Sequence, residues 1–274
     1  MPASEFGRWI GSNRMLICPL CKKQVVKFHK RSHLIPEWMY TECYDENHKI
    51  LEVSRLKEKV VKKQKGIYGS FMCEACEEET QKYDHYASLI LTGRSPNSDE
   101  YISVKKKYFC GNYKEKKEGN AEFGKWENIN FRKFQKFIFS IVLRTHFAGK
   151  IEGPISLNKK HLEGISAIYR DELNLDDSSY PILITKYSKN DKLKNHVILP
   201  YINKQEGHHI IEFTGGGYLF NVYVSSHSKP KFVNSLRLKS DGSMHLIIMF
   251  FQETGLFEKM KTLVNTLRNF SRFT

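Results

Sequence analysis

The chain has no uninterrupted apolar run near the ~20 residues needed to span a bilayer. Its best candidate, Phe137 to Leu143, stops at Arg144. No membrane-spanning helix is therefore expected. Acid is scarce too: 30 Asp and Glu stand against 44 Lys and Arg, a net charge of +14. An excess of this size attracts polyanions and makes nucleic acid the expected partner. There is no internal repeat and no low-complexity segment, which sets aside solenoid and disordered-tail architectures.

The first fourteen residues, MPASEFGRWIGSNR, have neither a hydrophobic signal core nor the Arg/Ser bias of an organelle presequence, so a cytoplasmic location is expected. Their Glu-Phe and Gly-Ser pairs are also what common cloning sites encode. Residues 1–14 are read as a cloning remnant or flexible leader ahead of Met15.

At ~150 residues per domain, 274 residues allow about two units, and a 40% hydrophobic, 13% aromatic composition supplies enough apolar material for real cores. Four of the six cysteines form two CxxC pairs, Cys18/Cys21 and Cys73/Cys76, with 51 residues between the halves. In a cytosolic protein this is the arithmetic of metal binding, not of disulfides. Four thiolates offer the soft tetrahedral set that zinc prefers, so a structural zinc is expected. Cys43 and Cys110 are left over. A two-Cys two-His alternative would pair Cys18 and Cys21 with His29 and His33, but it orphans Cys73 and Cys76.

After the first pair, VVKFHKRSHLI alternates so that Lys27, His29, Arg31 and His33 share one face of an expected strand. From Glu46 to Lys65 the chain is strongly charged, and Lys57, Lys59, Lys62, Lys63 and Lys65 suit contact with a phosphate backbone. The second pair opens EEETQKYDHYASLIL, whose acids and apolar Tyr83, Tyr86, Ala87 and Ile90 predict a helix. A knuckle, a strand pair and a second knuckle opening a helix make a treble clef over residues 15–92.

Residues 93–127 are expected to be a basic linker of exposed loops, with a short hairpin around Tyr108 to Cys110. Residues 128–274 are expected to form an α+β domain. FRKFQKFIFSIVLRTHF carries a helical stripe at Phe131, Phe134, Phe137, Ile138, Ile141 and Val142, and Asn158 to Leu173 is a second amphipathic helix. PILITKY, NHVILPYI, HHIIEFTGGGYLFNVYVSS, LRLKS and MHLIIMFF read as strands, followed by a carboxy-terminal helix. His208 and His209 are adjacent on a strand and point to opposite faces, which argues against a second metal site.

With the CxxC pairs, SHLIP and the helix start in place, residues 15–92 resemble the zinc-containing HNH, or ββα-metal, endonucleases. ICPLC, KRSHLIPEWMY, FMCEACEEETQKYDHYA and NINFRKFQKFIFSIVLR resemble more closely a bacterial family described only as HNH-like. The resemblance implies a divalent-metal-dependent endonuclease hydrolysing phosphodiester bonds in DNA, RNA remaining open, in a context such as bacterial defence. It implies His33 as the general base, for which an imidazole is suited at neutral pH. It places Glu77, directly after the last cysteine, as ligand of a catalytic magnesium or manganese, a hard cation that takes carboxylate oxygen. The position before the base, Asp or His in that pattern, is Ser32 here. Asn47 or His48 would supply the middle polar residue, and Arg31 would neutralise a phosphate oxygen. Two further readings are a catalytically silent zinc-stapled nucleic-acid-binding protein, and a subunit of a larger assembly docking a protein partner through its carboxy-terminal domain.

Overall fold

The structure is a computed structural model that describes residues 15–54, 59–92, 115–118, 121–149, 155–174 and 176–270. Residues 1–14, most of the expected linker with Tyr108 and Cys110, and Lys57 lie outside the described residues, as does the side chain of Lys59. The architecture is mixed α+β, with antiparallel and mixed sheets.

The amino-terminal half is built from strands too short to persist alone. β1 (Leu16–Ile17) pairs antiparallel with β2 (Gln24–Val25) around the first CxxC. β3 (Ser32–His33) follows, then a 3-10 turn over Glu37–Cys43. β4 (Ile50–Ser54) and β5 (Lys59–Lys63) form a hairpin that carries the basic excursion. β6 (Tyr68–Gly69) returns to pair with β3, setting Tyr68 opposite His33.

The continuous strand expected over Val25 to Ile35 is absent. Its two ends have different partners, the knuckle and β6, and in between the His29 amide donates to the Met72 carbonyl at 2.7 Å. Lys27, His29, Arg31 and His33 therefore do not share one strand face.

Helix α1 (Glu74–Thr92) starts inside the second CxxC with Glu74 and Glu77 in its first turn, favoured there by the helix dipole. Tyr83, Tyr86, Ala87 and Ile90 are buried, as their spacing predicts.

β7 (Glu115–Glu118) and β8 (Ala121–Trp126) lie within the stretch read as linker, yet they are strands of the large sheet. Lysine-rich composition concealed them, because runs of charge read as solvated loop. α2 (Phe131–Ala148) is capped by the Asn130 side chain, which accepts from the Lys133 amide. α3 (Lys159–Tyr169) occupies the core of the expected second helix.

The sheet is completed by β9 (Ile182–Tyr187), β10 (Ile198–Gln205), β11 (His208–Gly215) and β12 (Tyr218–Tyr223). Then come α4 (Lys231–Leu236), β13 (Met244–Met249) and α5 (Gly255–Phe270). Strand order is β10-β11-β12-β9-β13-β8-β7, antiparallel except at β9–β13. The LRLKS segment is not a strand: Leu236 ends α4, and the buried Leu238 instead donates its amide to the Ile182 carbonyl at 2.9 Å.

One hydrophobic cluster runs from Cys18 through α1 and α2 to Leu246, so the two halves share a core. Trp38 stacks on Phe137 with ring centroids 6.1 Å apart, and Phe137 meets Phe220 of the sheet at 6.2 Å. The β11–β12 turn holds the 3-10 turn: the Gly216 amide donates to the Met39 carbonyl at 3.0 Å. A Cβ at Gly216 would come within 2.9 Å of the Trp38 ring, and its φ of 61° is a glycine conformation.

Gly242 combines a φ of 80° with a Cβ position only 2.2 Å from the Ile129 carbonyl oxygen, whereas Gly207, at φ 81°, has open space there. Gly207→Ala should cost only the left-handed backbone penalty of about 1–2 kcal/mol. Gly242→Ala should cost clearly more, because backbone must also move. Urea midpoints of the two variants check this ordering.

Candidate metal centre and the basic groove beside it

The first CxxC closes through a turn in which Lys22 takes a left-handed φ of 63° and returns its amide to the Cys18 carbonyl at 2.8 Å. The Cys18 amide in turn reaches the Lys23 carbonyl at 2.9 Å. Across from it, the Cys73 amide points at Cys18 Sγ at 3.5 Å, and the Glu77 amide donates to the Cys73 carbonyl at 3.0 Å as α1 begins.

These turns bring all four Sγ atoms within 4.8 Å of one another. Cys18–Cys76 and Cys21–Cys73 are each 3.7 Å apart. A tetrahedron with ~2.3 Å metal–sulfur bonds has edges of about 3.8 Å, so the cluster can hold a metal ion such as zinc. The Cys18 thiol is pushed down to about 4, chiefly by its hydrogen bond with Cys76, whose own thiol is pushed up. A site that already stabilises one thiolate is prepared for a cation.

Among the described residues this is the only such grouping of metal-ligating side chains. The histidines of the two-Cys two-His alternative lie elsewhere, His29 3.8 Å from Glu74 and His33 3.3 Å from Glu37. The leftover Cys43 is partly buried, and desolvation pushes its thiol up to about 11, an inert state.

His33 ends β3 partly exposed. Its Nε2 lies 3.3 Å from Glu37 Oε2, one turn onward in the 3-10 segment. The imidazole holds the Glu37 carboxyl below its usual range, and the Tyr44 hydroxyl donates to the other carboxylate oxygen. Tyr44 stacks on His48 at 4.0 Å, which links His48 to His33 through Tyr44 and Glu37. Asn47 sits in an exposed turn, its amide bonded to Asp45 Oδ1 at 3.0 Å, and makes no such link.

Several buried polar atoms near the strand end and helix start are orphaned, His29 Nδ1 and Glu37 Oε2 among them. Ser32 Oγ and Glu77 Oε2 have no hydrogen-bond partner among the described residues, although Ser32 is fully buried and Glu77 is 5% exposed. Buried oxygens are normally satisfied, so an orphaned carboxylate oxygen fits a hard cation such as magnesium or manganese.

Behind His33 stands Arg144 of α2, 1% exposed on its side chain. All five of its N–H donors are used. Nη1 and Nη2 reach the Asp84 carboxylate at 2.9 and 2.8 Å, Nη1 the His33 carbonyl at 3.2 Å, Nη2 Ser140 Oγ at 3.0 Å and Nε the Ser140 carbonyl at 3.3 Å. Burial pushes the Asp84 carboxyl upward, and Arg144 opposes that push.

Arg31, Lys62, Lys63 and Lys65 line a groove of about 750 Å³ together with Tyr68. Lys63 also pairs with the buried Glu52. The Tyr68 ring contacts His33 edge-on at 6.0 Å and carries the Arg31 guanidinium 5.6 Å from its centroid.

The expected basic residues that are described, Arg31, Lys62, Lys63 and Lys65, thus converge beside His33. Sequence reasoning missed Glu37, Tyr68, Asp84 and Arg144. Arg144 left a signal: it lies three residues after Ile141 and seven after Phe137, on the apolar stripe. Asp84 lies seven after Glu77, on the same helix face.

No family model, curated protein or solved structure matches the chain. No helix of the described residues is long and apolar enough to cross a membrane. What fold and site define is a mixed α+β protein with a four-cysteine cluster able to hold a metal ion.

Metal analysis of the purified chain should find one tightly held ion. Cys73→Ser should lower its occupancy, and chelation should expose the aromatic residues of this half, read by tyrosine and tryptophan fluorescence. Arg144→Met should cost about 3–5 kcal/mol by stranding the Asp84 charge, and adding Asp84→Asn should recover much of the loss. Urea denaturation of the single and double variants measures both effects.

Proposed function

We propose that this chain is a zinc-stapled, divalent-metal-dependent endonuclease of the HNH type that hydrolyses phosphodiester bonds in DNA, its amino-terminal half a treble clef. The observation that carries the reading is the meeting, at one strand end, of the first and last of three features. They are an imidazole braced by a carboxylate, an orphaned buried carboxylate oxygen directly after the metal knuckle, and a groove of basic side chains.

In this reading His33 Nε2 faces Glu37, which orients the ring and leaves Nδ1 to take a proton from the attacking water. The water oxygen bonds to phosphorus while the bond to the leaving sugar oxygen breaks. Arg31 meets the negative charge on the non-bridging oxygens. Glu77 would hold magnesium or manganese, which when bound supplies Lewis-acid stabilisation of the leaving oxygen. Lys62, Lys63 and Lys65 hold the backbone without reading sequence.

A second reading, a catalytically silent zinc-stapled nucleic-acid-binding protein, is favoured by one observation. Ser32, a weak ligand, occupies the position before His33 and is wholly buried.

Cleavage of plasmid and single-stranded substrates in magnesium, manganese or EDTA separates the two. The nuclease predicts metal-dependent cutting that His33→Ala lowers by about 10²–10⁴-fold with nucleic-acid affinity retained. Glu77→Gln should abolish the response to added metal. Intact binding with no cutting by any form would establish the silent reading.

A further inference from the structure

The groove beside His33 contains more than positive charge. Among the described residues its lining carries no acidic side chain, and its wall is the Tyr68 ring, in a residue 39% exposed. The Arg31 guanidinium lies over that ring, 5.6 Å from its centroid. A solvated aromatic residue in a two-residue strand contributes little to the core, yet this one is held in place.

Its strand is pinned on both sides. Tyr68 pairs with His33, and the preceding Ile67 carbonyl accepts from the Leu34 amide at 3.0 Å. The Gly66 backbone lies so close to the buried Tyr40 ring that a Cβ there would come within 2.5 Å of it. The platform is therefore fixed before any ligand arrives.

Phosphate neutralisation alone needs only lysine and arginine. An exposed ring and a guanidinium plane offer something duplex DNA cannot use, a surface for the face of a base, since base faces are covered by their neighbours in a stacked helix. We propose that the Arg31–Tyr68 platform stacks an unpaired base, so that the ligand of this groove is single-stranded nucleic acid, with Lys62 and Lys65 on its phosphates and the adjoining phosphodiester delivered to His33. The inference rests on the nucleic-acid reading of the same site and sharpens it from polyanion to unpaired strand. The groove volume of about 750 Å³ suits a bound nucleotide unit.

The test uses the metal-loaded full chain and equilibrium anisotropy with fluorescein-labelled oligothymidylate and oligouridylate of about twelve nucleotides, and a DNA duplex of equal length. Either single strand should bind at least about 10-fold more tightly than the duplex. Tyr68→Ala should remove most of that preference, and Tyr68→Phe, which keeps the ring, should retain it. Arg31→Ala should lower single-strand affinity more than Lys62→Ala, because it removes a stacking plane as well as a charge. Lys62→Glu with Lys65→Glu should flatten the dependence of affinity on salt, the logarithmic slope falling by about 0.7 for each phosphate no longer neutralised.

Should Tyr68→Ala prove unfolded by circular dichroism, the Tyr68→Phe and Arg31→Ala pair decides. A duplex bound as tightly as the single strands, or a preference unchanged in both Tyr68→Ala and Arg31→Ala, overturns this inference and leaves the nucleic-acid reading standing. Absence of salt-sensitive binding to every probe by the folded chain overturns both.

Discussion

The amino-terminal half depends on four sulfur atoms being held where sulfur atoms would not gather unaided. Its strands β1, β2, β3 and β6 are two residues each, too short to define a fold by backbone pairing. Thiols crowded within 4.8 Å gain little from one another, and as thiolates they repel. A bound cation would reverse that balance, and structural zinc in finger peptides contributes about 10–16 kcal/mol, comparable with the whole stability of a domain. Because the second CxxC is also the first turn of α1, the same cluster fixes the helix that carries Glu77 and Asp84.

The second dependency is electrostatic. A guanidinium at the centre of an apolar helix is tolerable only when every donor is met, and Arg144 achieves this by drawing on three elements at once. Its partners are the Asp84 carboxylate of α1, Ser140 of its own helix and the carbonyl of His33. The residue that α2 must satisfy is thereby the one that anchors the strand end of the candidate site. Together with the Met39–Gly216 contact it ties the 3-10 turn and β3 to the large sheet. The two expected domains consequently share one core, with the site at their junction.

The candidate site was legible in part. The cysteines and the helix following them could be read because ligand spacing and a 3.6-residue period are local patterns. The basic residues after Glu46 could be read as a surface, but not as one wall of a groove with Arg31, which lies in a segment far from them along the chain. Glu37 and Asp84 stand in no local motif that would single them out. Their roles come from His33 and Arg144, the latter 60 residues away from Asp84. The continuous strand over Val25 to Ile35 failed for the same reason: alternation was present, but no single partner strand ran alongside it.

By itself the sequence determined which residues could bind metal, where the four longest helices would form, and the positive charge that dominates the chain. Each is decided by neighbours within a turn or two, or by composition alone. Only the tertiary structure decided that the knuckles close into one cluster and that the supposed linker contributes β7 and β8 to the sheet. It also placed a buried arginine from the second half behind His33. Those outcomes follow from desolvation and pairing between distant segments, and the cost of leaving a buried thiolate, carboxylate or strand edge unsatisfied is set by whatever the rest of the chain brings to it.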